Sequence, residues 1–176
     1  MLNTFIIYEI IVYAGFMLIG LFFSRKRPDI SAVRKLIGFL LPAAYYLYEH
    51  YLMKVFFDPK TINAYVFMAM FSFILKLFIF WLSLFLMTGY VPSKGVIVVL
   101  VIIAVLYFFK SIHTGQTFAT SGVLNYQKSN NVGLVALRAF FNNPKGSYVS
   151  DLICSFAPPI SMILEAVASL GGSKRR

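Results

Sequence analysis

The stretch FSFILKLFIFW, residues 71–81, sets one ammonium group, Lys76, inside a run from Asn63 to Met87 that holds no other charge. If this run crosses a bilayer, Lys76 lies near its middle. A central lysine costs about 2.5–3.5 kcal/mol on insertion scales, which the Phe, Ile, Leu and Trp around it can offset. Such a lysine faces protein or water and takes an anionic partner. Glu9, in the first hydrophobic segment, is the natural candidate within the chain. It sits about 7 Å of helical rise from the midpoint of that segment, a distance that a lysine stem can largely cover. Glu165, Asp151, an acid of another subunit and a lipid phosphate are the competitors. The expected role of Lys76 and Glu9 is an intramembrane ion pair that supports packing or assembly. A proton-relay or transport role is the sharper alternative.

The other reactive side chains form no recognisable catalytic set. Glu49 and His50 are adjacent, so on a helix they point in different directions, and they read as an interfacial polar cluster. His113, in SIHTGQTF, has no nearby acid to orient it and no Gly-x-Ser-x-Gly elbow around it; it reads as a solvated loop residue. Neither histidine belongs to a metal-ligand motif, and TGQTFATSG lacks the form of a phosphate loop. Cys154 is the sole cysteine, so neither an internal disulfide nor cysteine-based metal spacing arises. Asp151 and Glu165 flank LICSFAPPISMIL, with Pro158 and Pro159 near its centre. These four residues are candidates for the mouth of a pathway or the ends of a hairpin. No catalytic residue, cofactor or metal site is expected.

Composition fixes the class of element that must position these groups. The chain is 60% hydrophobic and 12% charged, whereas soluble domains are nearer 45–50% and about 25%. A soluble fold of 176 residues could not hide that apolar surface. The expectation is an all-α integral membrane protein with abundant Phe and Tyr at lipid and interface. The net charge is +10, and no carboxylate occurs from Pro59 to Ser150. Cations dispersed along the chain suit positive-inside topology and anionic lipid headgroups. They do not form the clustered patch of a nucleic-acid-binding module.

Three transmembrane helices are expected near 4–23, 64–87 and 96–109, the fourth hydrophobic segment ending at Lys110. Residues 36–57 form an ambiguous segment, in which a charge-free stretch interrupted by Pro42 is followed by Glu49, His50 and Lys54. It reads as a kinked span or an interfacial helix. Together these make a membrane domain over 1–110. A polar loop follows over 111–131. Residues 132–170 are expected to hold a short helix and a Pro-broken hydrophobic hairpin, because adjacent prolines remove two helical donors. The basic tail is 171–176. With three spans and the N-terminus outside, every cation except Lys94 and the intramembrane Lys76 falls on the cytoplasmic side. With five spans, Lys54, Lys60, Lys110, Lys128, Arg138 and Lys145 fall outside instead. The count favours three spans and leaves five as the alternative.

The functional expectation is a non-enzymatic, small polytopic subunit of a larger membrane assembly, such as a secretion, conjugation or transport apparatus. A stand-alone or homo-oligomeric transporter or pore is the second reading. A membrane-embedded lipid-modifying enzyme is the third. The expected setting is a bacterial inner membrane, with the N-terminus outside and the C-terminus cytoplasmic. The expected partners are anionic headgroups and other membrane subunits or further copies of the chain, with no nucleic acid.

Overall fold

Every described element in the computed structural model is a helix. It describes residues 2–49, 61–120 and 144–172, and these form five helices with no strand among them. We number them α1 (Leu2–Ser24), α2 (Ala32–Leu47), α3 (Ile62–Thr88), α4 (Lys94–Thr120) and α5 (Pro144–Gly172). The protein is an all-α membrane protein: by length and composition, three helices can cross a bilayer, over Ile62–Thr88, Lys94–Gln116 and Tyr148–Ser169. In α1 the apolar stretch Glu9–Ser24 is shorter.

Local chemistry sets the helix ends. Ser31 caps α2 by accepting from the Arg34 amide, and Thr61 caps α3 by accepting from the Ala64 amide, so each satisfies a donor with no helical acceptor. Gly89 ends α3 in the left-handed region, at φ 72°, with its amide donating to the Phe85 carbonyl. That conformation favours glycine. Pro144 stands at the first position of α5, where its missing N–H costs nothing.

Successive helices reverse direction. The 25–31 and 89–93 loops meet at one end of the bundle, here termed the loop end, where Arg27 approaches Gly89. The C-terminal part of α5 reaches the same end, where Glu165 accepts from the Tyr90 hydroxyl and from the Ser93 amide. Helix α5 packs on α1, α3 and α4, and α2 packs along α3.

Residues 148–170 are therefore not a hairpin. Helix α5 runs continuously through Pro158 and Pro159. Both rings are buried, and the Ser161 hydroxyl donates to the Pro158 carbonyl at 2.9 Å. Tight packing against neighbouring helices lets a membrane helix tolerate proline. The fourth helix also differs from expectation. It extends through Lys110 to Thr120, so the first part of the expected 111–131 loop is helical. A Ser, Thr and Gln run has modest helix propensity, yet packing overrides it: Ser111 and Gly115 are buried, and Gly115 faces Ile62 and Tyr65 on α3. The rest of that loop, the expected short helix over 132–141, residues 50–57 and the basic tail from 173 onward lie outside the described residues.

The core toward the loop end is apolar. Phe16, Phe80, Leu84, Met87 and Met162 are buried together, and Phe16 meets Phe80 edge-on at 4.6 Å. Pro42 helps to join α2 to α3. It has no N–H for the Gly38 carbonyl one turn earlier, and that carbonyl accepts instead from the Ser83 hydroxyl at 2.6 Å.

Candidate functional site: an ionisable cavity between the helices

A single stripe on each helix carries the buried groups. On α3 it is Phe73, Lys76, Phe80, Ser83 and Met87, steps of three and four that keep one face inward. Residues Glu9, Tyr13, Phe16, Gly20 and Ser24 do the same on α1. On α2, Gly38, Pro42 and Tyr45 are buried. Glu49, four residues after Tyr45, continues that stripe just beyond the end of α2, where the Tyr48 amide donates to both the Ala44 and Tyr45 carbonyls.

These stripes converge on a cavity of about 150 Å³ lined by Glu9, Glu49, Lys76, Lys110, Asp151 and Cys154, among others. Helices α1, α3, α4 and α5 contribute, together with Glu49 just beyond α2. Lys76 Nζ lies 3.6 Å from Glu9 Oε1 and 4.0 Å from Glu49 Oε2, and 5.3 Å above the Tyr13 ring. The Tyr13 hydroxyl donates to Glu49 Oε2 at 3.4 Å. One layer closer to the far end, opposite the loops, Lys110 on α4 pairs with Asp151 on α5. Nearby, Tyr45 on α2 donates to the Ser72 carbonyl on α3 at 2.8 Å. Phe73 and Tyr107 stack at 4.2 Å against the same space.

Burial is graded along this cluster. The side chains of Lys76 and Glu9 are 7% and 10% exposed, against 26% for Glu49 and 37% for Asp151. The cavity therefore opens toward the far end and is closed toward the loop end by the Phe16, Phe80, Leu84 and Met87 layer. Pro158 and Pro159 add to its polarity from below. Neither has an N–H, so the carbonyls of Cys154 and Ser155, four residues earlier, lose their helical donors. Both of those residues line the cavity.

The candidates from sequence separate into two places. Lys76 and Glu9 come together in the cavity, joined by Asp151 at its rim. Glu165 does not join them. It sits at the loop end with Tyr90 and Ser93, where burial and then the adjacent carboxylate push the Tyr90 hydroxyl above its ordinary range. Asp151 and Glu165 thus mark opposite ends of one helix rather than the two mouths of a hairpin. His113 lies on α4, not in a loop, and is half-buried. Glu49 and Lys110 were missed as site residues. Glu49 is four residues after Tyr45, and Lys110 is seven after Ile103, so helical spacing from the buried stripes could have found both.

No family model matches this chain, and no curated protein or solved structure shows significant similarity to it. The function must be argued from the site itself.

Proposed function

We propose that the protein is a non-enzymatic transport protein of the membrane that handles protons or other small cations through the ionisable cavity. One observation carries this reading: five ionisable side chains, four from α1, α3, α4 and α5 and Glu49 from just beyond α2, meet in a cavity of about 150 Å³ inside an apolar bundle. Ionisable residues at membrane depth are costly and mark ion pathways or relays. Backbone carbonyls released from a helix are a recurring element of cation sites in transporters. Water takes about 30 Å³ per molecule, so the cavity suits a few waters or a small ion and excludes a lipid or an organic solute.

The expectation of a small non-enzymatic subunit of a larger membrane assembly leaned on a midplane lysine that wants a partner and on two poor spans. In-chain carboxylates beside Lys76 and a continuous α5 remove much of that support, so transport takes first place. Membership in a larger secretion, conjugation or transport apparatus remains the second reading, supported by the size of the cavity. A cargo larger than an ion would have to pass through other subunits or further copies.

The orientation fits an N-terminus outside and a C-terminus in the cytoplasm. The loop end carries Arg25, Lys26, Arg27, Arg34, Lys35 and Lys94, and cytoplasmic loops are the Lys- and Arg-rich ones; Lys94 thus shares the basic end, as in the five-span arrangement and not the three-span one that the cation count favoured. A second cavity there, of about 490 Å³ and lined by Lys26, Arg27, Tyr90 and Ser169, suits an anionic lipid headgroup. A bacterial inner membrane accommodates both features.

The test is flux. Purified protein in liposomes with an imposed pH gradient should collapse that gradient faster than protein-free liposomes, and Lys76→Met should abolish the difference. Flux equal to that of empty liposomes, from protein shown to be folded and inserted, overturns the proposal. Native mass in mild detergent then distinguishes a homo-oligomer from a stoichiometric partner complex.

A further inference from the structure

The loop-end cavity, of about 490 Å³, has a more specific chemistry than its sign of charge. Its size falls among small-molecule sites, which run from about 300 to 1,000 Å³. Among the described residues its lining holds two cations, Lys26 and Arg27, and no carboxylate. The carboxylates nearby are engaged elsewhere: Asp29 with Arg27 alone, and Glu165 with the Tyr90 hydroxyl and the Ser93 amide. The residues outside the description include one carboxylate, Asp58, three positions before the Thr61 cap of α3 at the far end. No carboxylate follows Glu165 in the chain. We infer that the cavity seats the headgroup of one phospholipid, a phosphodiester that carries a neutral, hydroxyl-bearing head such as glycerol.

The cations hold the phosphate and the hydroxyls read the head. Arg27 uses Nε and Nη2 on Asp29. A guanidinium has five N–H donors in a planar fork, so the rest of the fork can serve a phosphate oxygen. The Lys26 ammonium, 4.9 Å from the centre of the Phe23 ring, adds the second charge. Three hydroxyls share the lining. That of Thr88 donates to the Leu84 carbonyl, that of Ser169 to the Ala166 carbonyl and that of Tyr90 to Glu165. A hydroxyl has one proton and two lone pairs. With their protons committed, all three oxygens are left to a ligand as acceptors, which match hydroxyl donors on a headgroup. A choline head has no such donor, and its cation would meet Lys26 and Arg27. An ethanolamine head also brings a cation there.

Position selects a lipid over a dissolved phosphate ester. Two of the apolar spans end at Thr88 and Ser169, and another begins at Lys94. Thr88, Tyr90 and Ser169 on the lining therefore stand where the spans leave the hydrocarbon, at the level of the headgroups. Val91, also on the lining, is 68% exposed and offers an apolar contact to the lipid below its head. A headgroup seated here would bridge the segment after α1 to the 89–93 loop and to the end of α5. The site does not depend on the transport reading, which concerns the far-end cavity.

The experiment is native mass spectrometry of the full chain, delipidated in mild detergent and titrated with phosphatidylglycerol, phosphatidic acid or phosphatidylcholine of one acyl composition. The expected result is a single phosphatidylglycerol adduct that forms at lower lipid concentration than an adduct of either other lipid. Lys26→Gln and Arg27→Gln should each weaken it about fivefold, and Arg25→Gln, off the lining, should leave it unchanged. Ser169→Ala should weaken phosphatidylglycerol loading and spare that of phosphatidic acid, because only the former has a glycerol head to donate. If Arg27→Gln fails to fold, Lys26→Gln and Ser169→Ala, both at exposed positions, carry the test. The inference is overturned if phosphatidylcholine or phosphatidic acid loads as well as phosphatidylglycerol, or if the lining variants load like the parent. It is also overturned if soluble glycerol phosphate, equimolar with the lipid, displaces it, which would make the seat one for a dissolved phosphate ester.

Discussion

The two halves of the bundle solve the same packing problem in opposite ways. Toward the loop end, α1, α2, α3 and α5 close on Phe16, Phe80, Leu84, Met87 and Met162, a layer with no charge. Toward the far end, the same helices and α4 close on Glu9, Glu49, Lys76, Lys110 and Asp151. Lipid is as apolar as a core, so hydrophobicity alone gives helices in a membrane little reason to associate. Close packing and interhelical polar contacts must do it. The loop-end half uses close packing and the far-end half uses charge. An ionic layer gains less net stability than its contacts suggest, because both partners are desolvated. Its presence here points to function more strongly than the apolar layer does.

Removing one member of the ionic layer should produce the largest effect. Lys76→Met leaves Glu9 and Glu49 without their ammonium group, both in contact with the cavity. Breaking a buried pair in this way costs about 3–5 kcal/mol. The expected outcome is a marked fall in the midpoint of detergent-titrated unfolding, with most of it restored in the double variant Lys76→Met, Glu9→Gln. If the double variant is no better than the single one, Lys76 is held by groups outside this pair and the contrast between the halves weakens.

The apolar half should break through volume instead. A Cβ added at Gly38 would fall 2.8 Å from the Ser83 carbonyl oxygen and 2.9 Å from carbons of Leu86 and Met87. One of these is backbone and cannot swing away. Gly38→Val should cost about 3 kcal/mol through overpacking, whereas Gly15→Ala, with nothing within 4 Å of its added carbon, should be neutral or slightly stabilising. Parallel unfolding titrations of the two variants check this.

The contrast also explains what was legible before the fold. Composition was enough for an all-α membrane class, because burial in lipid makes whole segments apolar. The Lys76–Glu9 pairing was legible because each is a lone charge in its segment and the segments are long enough to locate by helical rise. Glu49 and Lys110 were not picked out, since each stands near the end of its apolar run and reads as an interfacial group. Only the inward stripe distinguishes them, and in a membrane helix the outward face is as apolar as the inward one. Pro158–Pro159 misled for a related reason. The rule against interior proline assumes that freed carbonyls are stranded, whereas here those of Cys154 and Ser155 belong to residues lining a polar cavity.

Pro42 gives a smaller and sharper test of the same idea. The Gly38 carbonyl lacks a helical donor because of Pro42 and takes the Ser83 hydroxyl, which is fully buried. Ser83→Ala should therefore cost about 1–2 kcal/mol, the penalty of stranding a buried acceptor. In a Pro42→Ala background the amide of residue 42 can serve that carbonyl, and Ser83→Ala should then cost measurably less. A double-mutant cycle reads the coupling directly. Equal costs in both backgrounds would mean that the serine hydroxyl and the proline act independently.

The smallest effect should come from the ion pair at the loop end. Arg27 donates to both oxygens of Asp29 at 3.0 Å, but the pair is exposed, with 58% of the Asp29 side chain in solvent. The hydrogen bond from Arg27 holds the Asp29 carboxyl below the usual carboxylate range. The folded value is the lower one. The pair's contribution is therefore complete above the unfolded carboxyl value of about 3.9 and is lost as pH falls through the lowered folded value. Solvent and salt screen a pair this exposed. Asp29→Asn should shift the unfolding midpoint only slightly at neutral pH and low salt, less at high salt, and not at all in acid below the folded value. Lys110→Met, which removes the half-buried counterpart at the far end, should shift it more and with little salt dependence. Similar, salt-sensitive shifts from both variants would mean that water screens the far-end pair as well as it screens the loop-end one.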